Sequence, residues 1–381
     1  MDNIFICPIC GNKDQKYIGY KNNKPYCRKC IEFRGESVPN KPKEVKASAL
    51  RLDYYLSKQQ KQLSKKIVDA FLSKQDVLVY AVTGSGKTEI SYGVIQYAMS
   101  HGLNVAFAVP RKDVVIELTA RLKSAFPGNS IVPIYGGHTS ILEGDCLVLT
   151  THQLYRYEHY FDLIVMDEVD AFPFKGNDVL EAMFFRSLRG NFVLMSATPS
   201  KALVNGIKRR NGLILTLHTR FHKNPIPVPK INICPSSFYC FYIARKLKQY
   251  SKQGKPCFVF VPTVNMSEEV FSCVSIFCPN GNYVSSKREG RNKIIHDFKI
   301  GKYKYLITTA VLERGVTVKG IQVIVVDASS SIYDAASLIQ ISGRVGRKKD
   351  APDGEVIFLA NKKNKEMEKA IYEIKRCNSF L

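Results

Sequence analysis

The residues best equipped for chemistry are the run Ala81-Val82-Thr83-Gly84-Ser85-Gly86-Lys87-Thr88. Gly84 and Gly86 let the backbone curl so that successive N–H groups converge on one anion, and the start of a following helix adds partial positive charge. Lys87 has the reach for the β- and γ-phosphates of a nucleotide, and the Thr88 hydroxyl suits Mg2+; Thr83, Gly84, Ser85 and Gly86 complete the cradle. Downstream, Asp167-Glu168-Val169-Asp170 follows the apolar run Phe161-Asp162-Leu163-Ile164-Val165-Met166. Asp167 in that place would hold the Mg2+ of a bound nucleotide, and Glu168 would orient and deprotonate the attacking water. Ser196-Ala197-Thr198 ends another apolar run, where small hydroxyls can hydrogen-bond the acidic group. Each stretch alone is an ordinary turn. In this order they predict hydrolysis of a nucleoside triphosphate, with ATP as substrate and Mg2+ as cofactor.

A second set could hold a metal. Cys7-Pro8-Ile9-Cys10 is answered by Cys27-Arg28-Lys29-Cys30, two C-x2-C turns that bring four thiolates to the corners of a tetrahedron. The expectation is structural Zn2+ with no open position; an iron–sulfur centre or a redox-active dithiol is the alternative. A module this short cannot bury enough apolar surface to fold alone, so the metal supplies the stability. Lys13, Lys16, Lys21, Lys24, Arg28 and Arg34, with Tyr17, Tyr20 and Tyr26, surround the cysteines. They suit a nucleic acid strand, or form a solvated basic face.

The elements that must position these groups read as α/β. Apolar strands alternate with helical patterns, as in a parallel sheet with crossover helices. Strands are expected at 77–80, 104–109, 146–150, 163–166 and 192–195, then at 257–261, 305–307, 323–326 and 356–359. Helical patterns cover 56–71 and 89–99. Gln60 opens the first of these, and its amide offers adenine a donor and an acceptor together; Gln59 is the alternate. Residues 38–50 read as a linker, and the proline-rich run Asn224-Pro225-Ile226-Pro227-Val228-Pro229-Lys230 as a stiff hinge.

Charge narrows the partner. The chain carries a net +23, and residues 201–250 hold ten Lys or Arg and no acid. Such a balance points to a polyanion held through its phosphates, without regard to sequence. No apolar run reaches the roughly 18 residues of a membrane span, and the N-terminus has no signal-peptide pattern, so a cytosolic protein is expected.

The set of motifs resembles helicase superfamily 2. It includes the phosphate loop, the Asp-Glu-x-Asp box, Ser-Ala-Thr, then Thr308-Thr309-Ala310-Val311-Leu312-Glu313-Arg314-Gly315-Val316 and Gln340-Ile341-Ser342-Gly343-Arg344-Val345-Gly346-Arg347. The resemblance implies two tandem RecA-like lobes with ATP between them, Gly315 in the ATP site, and Arg344 and Arg347 reaching the γ-phosphate as arginine fingers. Sitting three apart, those two arginines are expected to share a face at a helix start. It further implies DNA contacts from loops at Pro110, Arg111, Gly137, Thr151, Thr263 and Thr309. The arginine at 314, before the glycine, is a mild departure.

With the cysteine module ahead of the motor and the Pro-x-Pro-x-Pro-Lys run within it, the chain is similar to the ComFA family, late-competence DNA-uptake ATPases of transformable Gram-positive bacteria. The resemblance implies a motor stimulated by single-stranded DNA, peripheral at the inner face of the membrane, with ComFC and the membrane uptake channel as partners. The implied domains are a zinc module over 1–45, a first lobe over 46–220, a hinge over 221–235 and a second lobe over 236–381. A duplex-unwinding helicase of the primosome or repair type is the alternative; a zinc-containing adaptor with a dead nucleotide site is disfavoured by Lys87, Thr88, Asp167, Glu168 and Arg347 standing together.

Overall fold

The computed structural model describes residues 5–33, 35–82, 84–170, 174, 176–217, 224–285, 288–309, 318–347 and 350–379. Thr83, Arg34 and the motif residues Glu313, Arg314 and Gly315 lie outside them. Packing divides the chain into two compact units, Met1–Ala81 with Gly86–Leu217, and Val82–Ser85 with His218–Leu381.

The first unit begins with a hairpin, β1 (Ile18–Lys21) paired antiparallel to β2 (Lys24–Cys27). Its turn is Asn22-Asn23, both left-handed (φ 50° and 57°), a conformation asparagine tolerates and a two-residue hairpin demands. The hairpin and the flanking turns bring Cys7, Cys10, Cys27 and Cys30 together, all buried, with their sulfurs within 4.8 Å of one another. The Cys7–Cys30 and Cys10–Cys27 sulfur separations are 3.4 and 3.7 Å. A tetrahedral Zn2+ with Zn–S bonds of about 2.3 Å sets sulfurs about 3.8 Å apart, so the donor set fits that ion.

Next come α1 (Lys58–Leu72), β3 (Val77–Ala81), α2 (Lys87–Ile90), α3 (Tyr92–Ser100), β4 (Val105–Val109), α4 (Lys112–Ala125), β5 (Ile131–Ile134) and β6 (Cys146–Thr150). A 3-10 turn over Thr151–Arg156 leads to β7 (Phe161–Asp167), α5 (Asp178–Ser187), β8 (Leu188–Ser196), α6 (Lys201–Arg209) and β9 (Leu213–Leu217). The seven strands β3 to β9 lie in the order β5-β6-β4-β7-β8-β3-β9, and the pairings within it are parallel. Alternate residues feed two apolar layers: Leu78 and Ile164 enter one, Val77, Val79 and Val165 the other.

The second unit contains β10 (Lys230–Ile233), α7 (Tyr239–Lys252), β11 (Cys257–Val261), α8 (Val264–Ser275), β12 (Gly281–Tyr283) and α9 (Arg291–Lys299). It continues with β13 (Tyr305–Thr309), β14 (Gln322–Val326), α10 (Ala335–Ser342), β15 (Val356–Ala360) and α11 (Lys365–Asn378). This sheet is parallel too, in the order β10-β15-β14-β11-β13-β12.

The nine strands expected from the sequence all form. The strands of the two large sheets that were not foreseen, β5, β9, β10 and β12, lie at sheet edges, are short or only half buried, and so carry weak apolar patterns; the hairpin strands β1 and β2 were not foreseen either. β10 corrects the hinge: Lys230 opens a strand that pairs with β15 (Lys230↔Ile357). The helix expected over 89–99 is two, divided at Ser91, whose hydroxyl bonds back to the Thr88 carbonyl at 2.7 Å.

A half-buried ionic hub ties β15 into the second unit. The Glu355 carboxylate accepts hydrogen bonds from Tyr250 Oη (2.6 Å), Lys246 Nζ (2.9 Å) and Lys230 Nζ (3.2 Å). Burial works to raise its pKa, but these three donors outweigh it and hold the carboxyl down to about 2, against an ordinary 4.5. Because the folded value is depressed, the stabilisation is complete above the unfolded value and fades as pH falls from about 4.5 toward 2. Glu355→Gln should therefore destabilise the second unit by about 2 to 3 kcal/mol at pH 7, with the difference from wild type shrinking across that acid window, as read by urea denaturation followed by circular dichroism. Cys27→Ser should lower bound zinc from one per chain to well below it by elemental analysis; a variant that keeps stoichiometric zinc would refute the four-cysteine site.

Candidate nucleotide site

Sheet register brings the chemistry to one edge of the first unit. Strand β3 runs into the phosphate loop, β8 lies beside it and β7 beside β8. Tyr80 is level with Ser196, and Asp167 with Met195, so the loop, the acidic turn and the Ser-Ala-Thr turn all leave the sheet at its carboxyl edge, where open α/β sheets bind ligands.

At the loop, Gly84 and Gly86 have φ of 82° and 79°, values that ask for glycine. Gly86 is also the N-cap of α2, and a methyl group there would collide with the Gln60 side-chain amide. Gln60 is therefore buried against the loop, while Gln59 is exposed. The Gln60 carbonyl oxygen accepts from the Ser57 N–H at 2.9 Å and Ser57 Oγ accepts from the Gln60 N–H at 3.2 Å, a capping box that starts α1 and fixes the amide. The amide that the sequence reading assigned to adenine thus also takes part in the helix cap through its oxygen. Ser85 and Thr88 are buried, at 1% and 8% exposure.

Lys87 extends from the first position of α2 and places Nζ 3.7 Å from Asp167 Oδ1. Burial pushes the Asp167 carboxyl above its usual pKa, and the Lys87 ammonium works against that shift. A carboxylate that burial disfavours and a cation offsets is suited to a divalent ion; Asp167 and the Thr88 hydroxyl are the side chains that would hold Mg2+. Glu168 stands next, with a left-handed φ of 57° that is uncommon for a residue with a side chain. Its N–H donates to Asp167 Oδ1 at 2.8 Å, which fixes the turn. Thr198 Oγ1 donates to Asp170 Oδ2 at 2.5 Å and its N–H donates to Ser196 Oγ at 2.9 Å, so the Ser-Ala-Thr turn is bonded to the acidic motif, as its hydroxyls suggested.

Three side chains that the sequence reading passed over support the loop. Glu89, in the first turn of α2, accepts from Arg121 Nη2 at 2.5 Å and from Tyr54 Oη at 3.1 Å. An acid two residues past the lysine was the available signal, but its partners lie 35 and 32 residues away and no local pattern names them.

In the second unit, Arg344 and Arg347 do not sit at a helix start. They follow the C-cap of α10, Gly343, in an irregular turn. Arg344 is 6% exposed with its guanidinium over the Phe260 ring at 5.7 Å, and Arg347 Nε donates to the Gly343 carbonyl at 3.0 Å. The residues named for DNA contact stand at or just beyond strand carboxyl ends: Pro110 and Arg111 after β4, Gly137 after β5, Thr151 after β6, Thr263 after β11, and Thr309 ending β13. They differ in exposure. Gly137 and Thr263 are exposed, whereas Pro110, Thr151 and Thr309 are buried, and the Thr151 hydroxyl has no hydrogen-bond partner among the described residues.

Comparison with known proteins agrees with this architecture. The family described as Type III restriction enzyme, res subunit, matches residues 53–201, and the Helicase conserved C-terminal domain matches residues 242–349. S. cerevisiae Dbp5 bound to RNA and ADP BeF3 superposes with a TM-score of 0.62 at 15% identity, over 86% of this chain and 92% of that one, which shows the RecA-like fold. Competence protein ComFA of Bacillus subtilis (strain 168) is 35% identical over 99% of this chain and 86% of its own length. Competence protein ComFA of Streptococcus pneumoniae (strain ATCC BAA-255 / R6) is 34% identical over 93% of this chain and 85% of its own. With identity of 35% and 34% over 99% and 93% of its length, the chain belongs to the ComFA family of competence proteins and is a helicase-type ATPase.

Proposed function

We propose that this ATPase is stimulated by single-stranded DNA and spends ATP on moving that strand inward during uptake of transforming DNA. The observation that carries the hydrolytic half is the Lys87–Asp167 pair with Glu168 beside it at the glycine loop. Lys87 and the loop amides hold the phosphates, Glu168 takes the proton of the attacking water, and Thr198 links Asp170 to the strand that follows. Mg2+ would neutralise phosphate charge, held by Thr88 and Asp167. Arg344 and Arg347 are assigned to the charge that develops on the transferred phosphoryl group, and Gln60 to the nucleotide side of the loop. The DNA half is supported by the net charge of +23 and by the names of the relatives, both competence proteins. The strand contacts are assigned to Pro110, Arg111, Gly137, Thr151, Thr263 and Thr309, with ComFC and the membrane uptake channel as partners at the inner face of the membrane.

Steady-state ATP hydrolysis should rise at least about tenfold with single-stranded DNA and much less with duplex DNA or RNA at fixed salt. Stimulation by duplex alone would favour an unwinding helicase, and stimulation by RNA alone would end the uptake reading. Lys87→Ala should abolish turnover while DNA binding persists; loss of both together would sink this division of labour. Glu168→Gln should cut turnover by about 10²-fold or more yet still bind ATP, as followed with a fluorescent nucleotide.

A further inference from the structure

Within the first unit the cysteine module is packed against the turn that follows β6. Phe33 is 8% exposed, and its N–H donates to the Cys30 carbonyl at 3.0 Å, so its position is set by the last cysteine of the cluster. Its ring lies 6.0 Å from that of His152 at an interplanar angle of 23°, and 6.0 Å from that of Tyr155. The chain leaving the module then follows the same turn. The Val38 N–H donates to the Arg156 carbonyl at 2.9 Å and Val38 bridges Tyr157 in parallel. Arg156 Nη1 reaches the Glu36 carbonyl at 3.5 Å while its Nε donates to Gln153 Oε1 at 2.9 Å. Gly35 passes so close that an added methyl would meet the Tyr155 hydroxyl and the Arg156 guanidinium. The cysteines, Phe33 and Val38 share one apolar cluster with Leu154, Tyr155 and Tyr157.

The turn Thr151–Arg156 carries the Thr151-His152-Gln153 segment; ring packing from Phe33 holds it at His152 and Tyr155, and hydrogen bonds to Glu36 and Val38 hold it at Arg156, which in turn bonds Gln153. A 3-10 turn has poor internal hydrogen-bond geometry and takes its order from its neighbours. Here the neighbour is a module whose own fold depends on its cysteine cluster. We infer that the cysteine module is a brace for the Thr151–Arg156 turn, with Phe33 as the positioning residue, so that the cluster sets how firmly this unit grips a single DNA strand. The last clause rests on the proposed role of that turn in strand contact; the brace itself does not.

The test compares wild type with Phe33→Ala, Phe33→Tyr and Val38→Pro, the last removing the bond to Arg156 from outside the cysteine knuckles. Zinc content, amide hydrogen exchange over residues 151–157, and ATP hydrolysis titrated with an oligo-dT single strand are measured on the full chain. In Phe33→Ala, zinc should stay at one per chain while exchange in the turn rises about tenfold, the scale of a lost aromatic contact. Half-saturation by oligo-dT should rise about tenfold with turnover at saturation and without DNA unchanged, and Phe33→Tyr should restore both. Unchanged exchange in Phe33→Ala with zinc retained overturns the brace, and if that variant loses zinc, Val38→Pro decides by the same criterion. Faster exchange with unchanged half-saturation overturns the grip on DNA. A wild type that ignores oligo-dT defeats the proposed function, and the exchange data still decide the brace.

Discussion

Partly burying Asp167 beside Lys87 is the constraint around which the first unit is arranged. A carboxylate removed from water is costly unless a cation and hydrogen-bond donors are at hand, and here the compensation comes from Lys87 and from the N–H of Glu168. That pairing requires the strand before the loop and the strand before the acidic turn to end at the same level. Parallel pairing through β8 provides it, with Tyr80 level with Ser196 and Asp167 level with Met195. The glycines with positive φ, the capped start of α1 against Gly86 and the Arg121–Glu89–Tyr54 contacts then hold Lys87 where the pair can form. The left-handed Glu168 is strain of the kind found where a side chain must face a reaction.

Charge is used differently in the second unit. Glu355 collects two ammonium groups and a phenol, drawn from β10 and α7, onto the start of β15. Each donor comes from a different turn or element, so the hub fixes register between an edge strand and its neighbour, which a short, half-exposed strand such as β10 cannot do by apolar packing alone. The cysteine module meets a similar problem with four buried cysteines whose sulfurs are placed to fit a metal ion. Its hairpin is too small for a core of its own, and it joins the apolar cluster of the first unit through Phe33 and Val38.

Much of this was legible in the sequence because the relevant chemistry is local along the chain. The glycine spacing before Lys87, the acid pair after a buried strand and the two C-x2-C turns each bring their groups together within a few residues, so type and spacing suffice. The buried strands were legible for the same reason: an unbroken apolar run of four to six residues belongs in a sheet covered on both faces. The second-unit arginines were misplaced because a three-residue spacing is only a shared face if a helix is present, and α10 has already ended at Ser342.

What the sequence by itself determined, then, is the nucleotide chemistry, the four-cysteine cluster and the interior of two parallel sheets. Only the tertiary structure decided that Asp170 is the acid Thr198 bonds, that Lys230 begins a strand held by Glu355, and that Phe33 rests on His152. These contacts join residues as much as 125 positions apart. They depend on which strands lie side by side and in what register, and that is settled by packing over the whole sheet, which no short window of sequence contains.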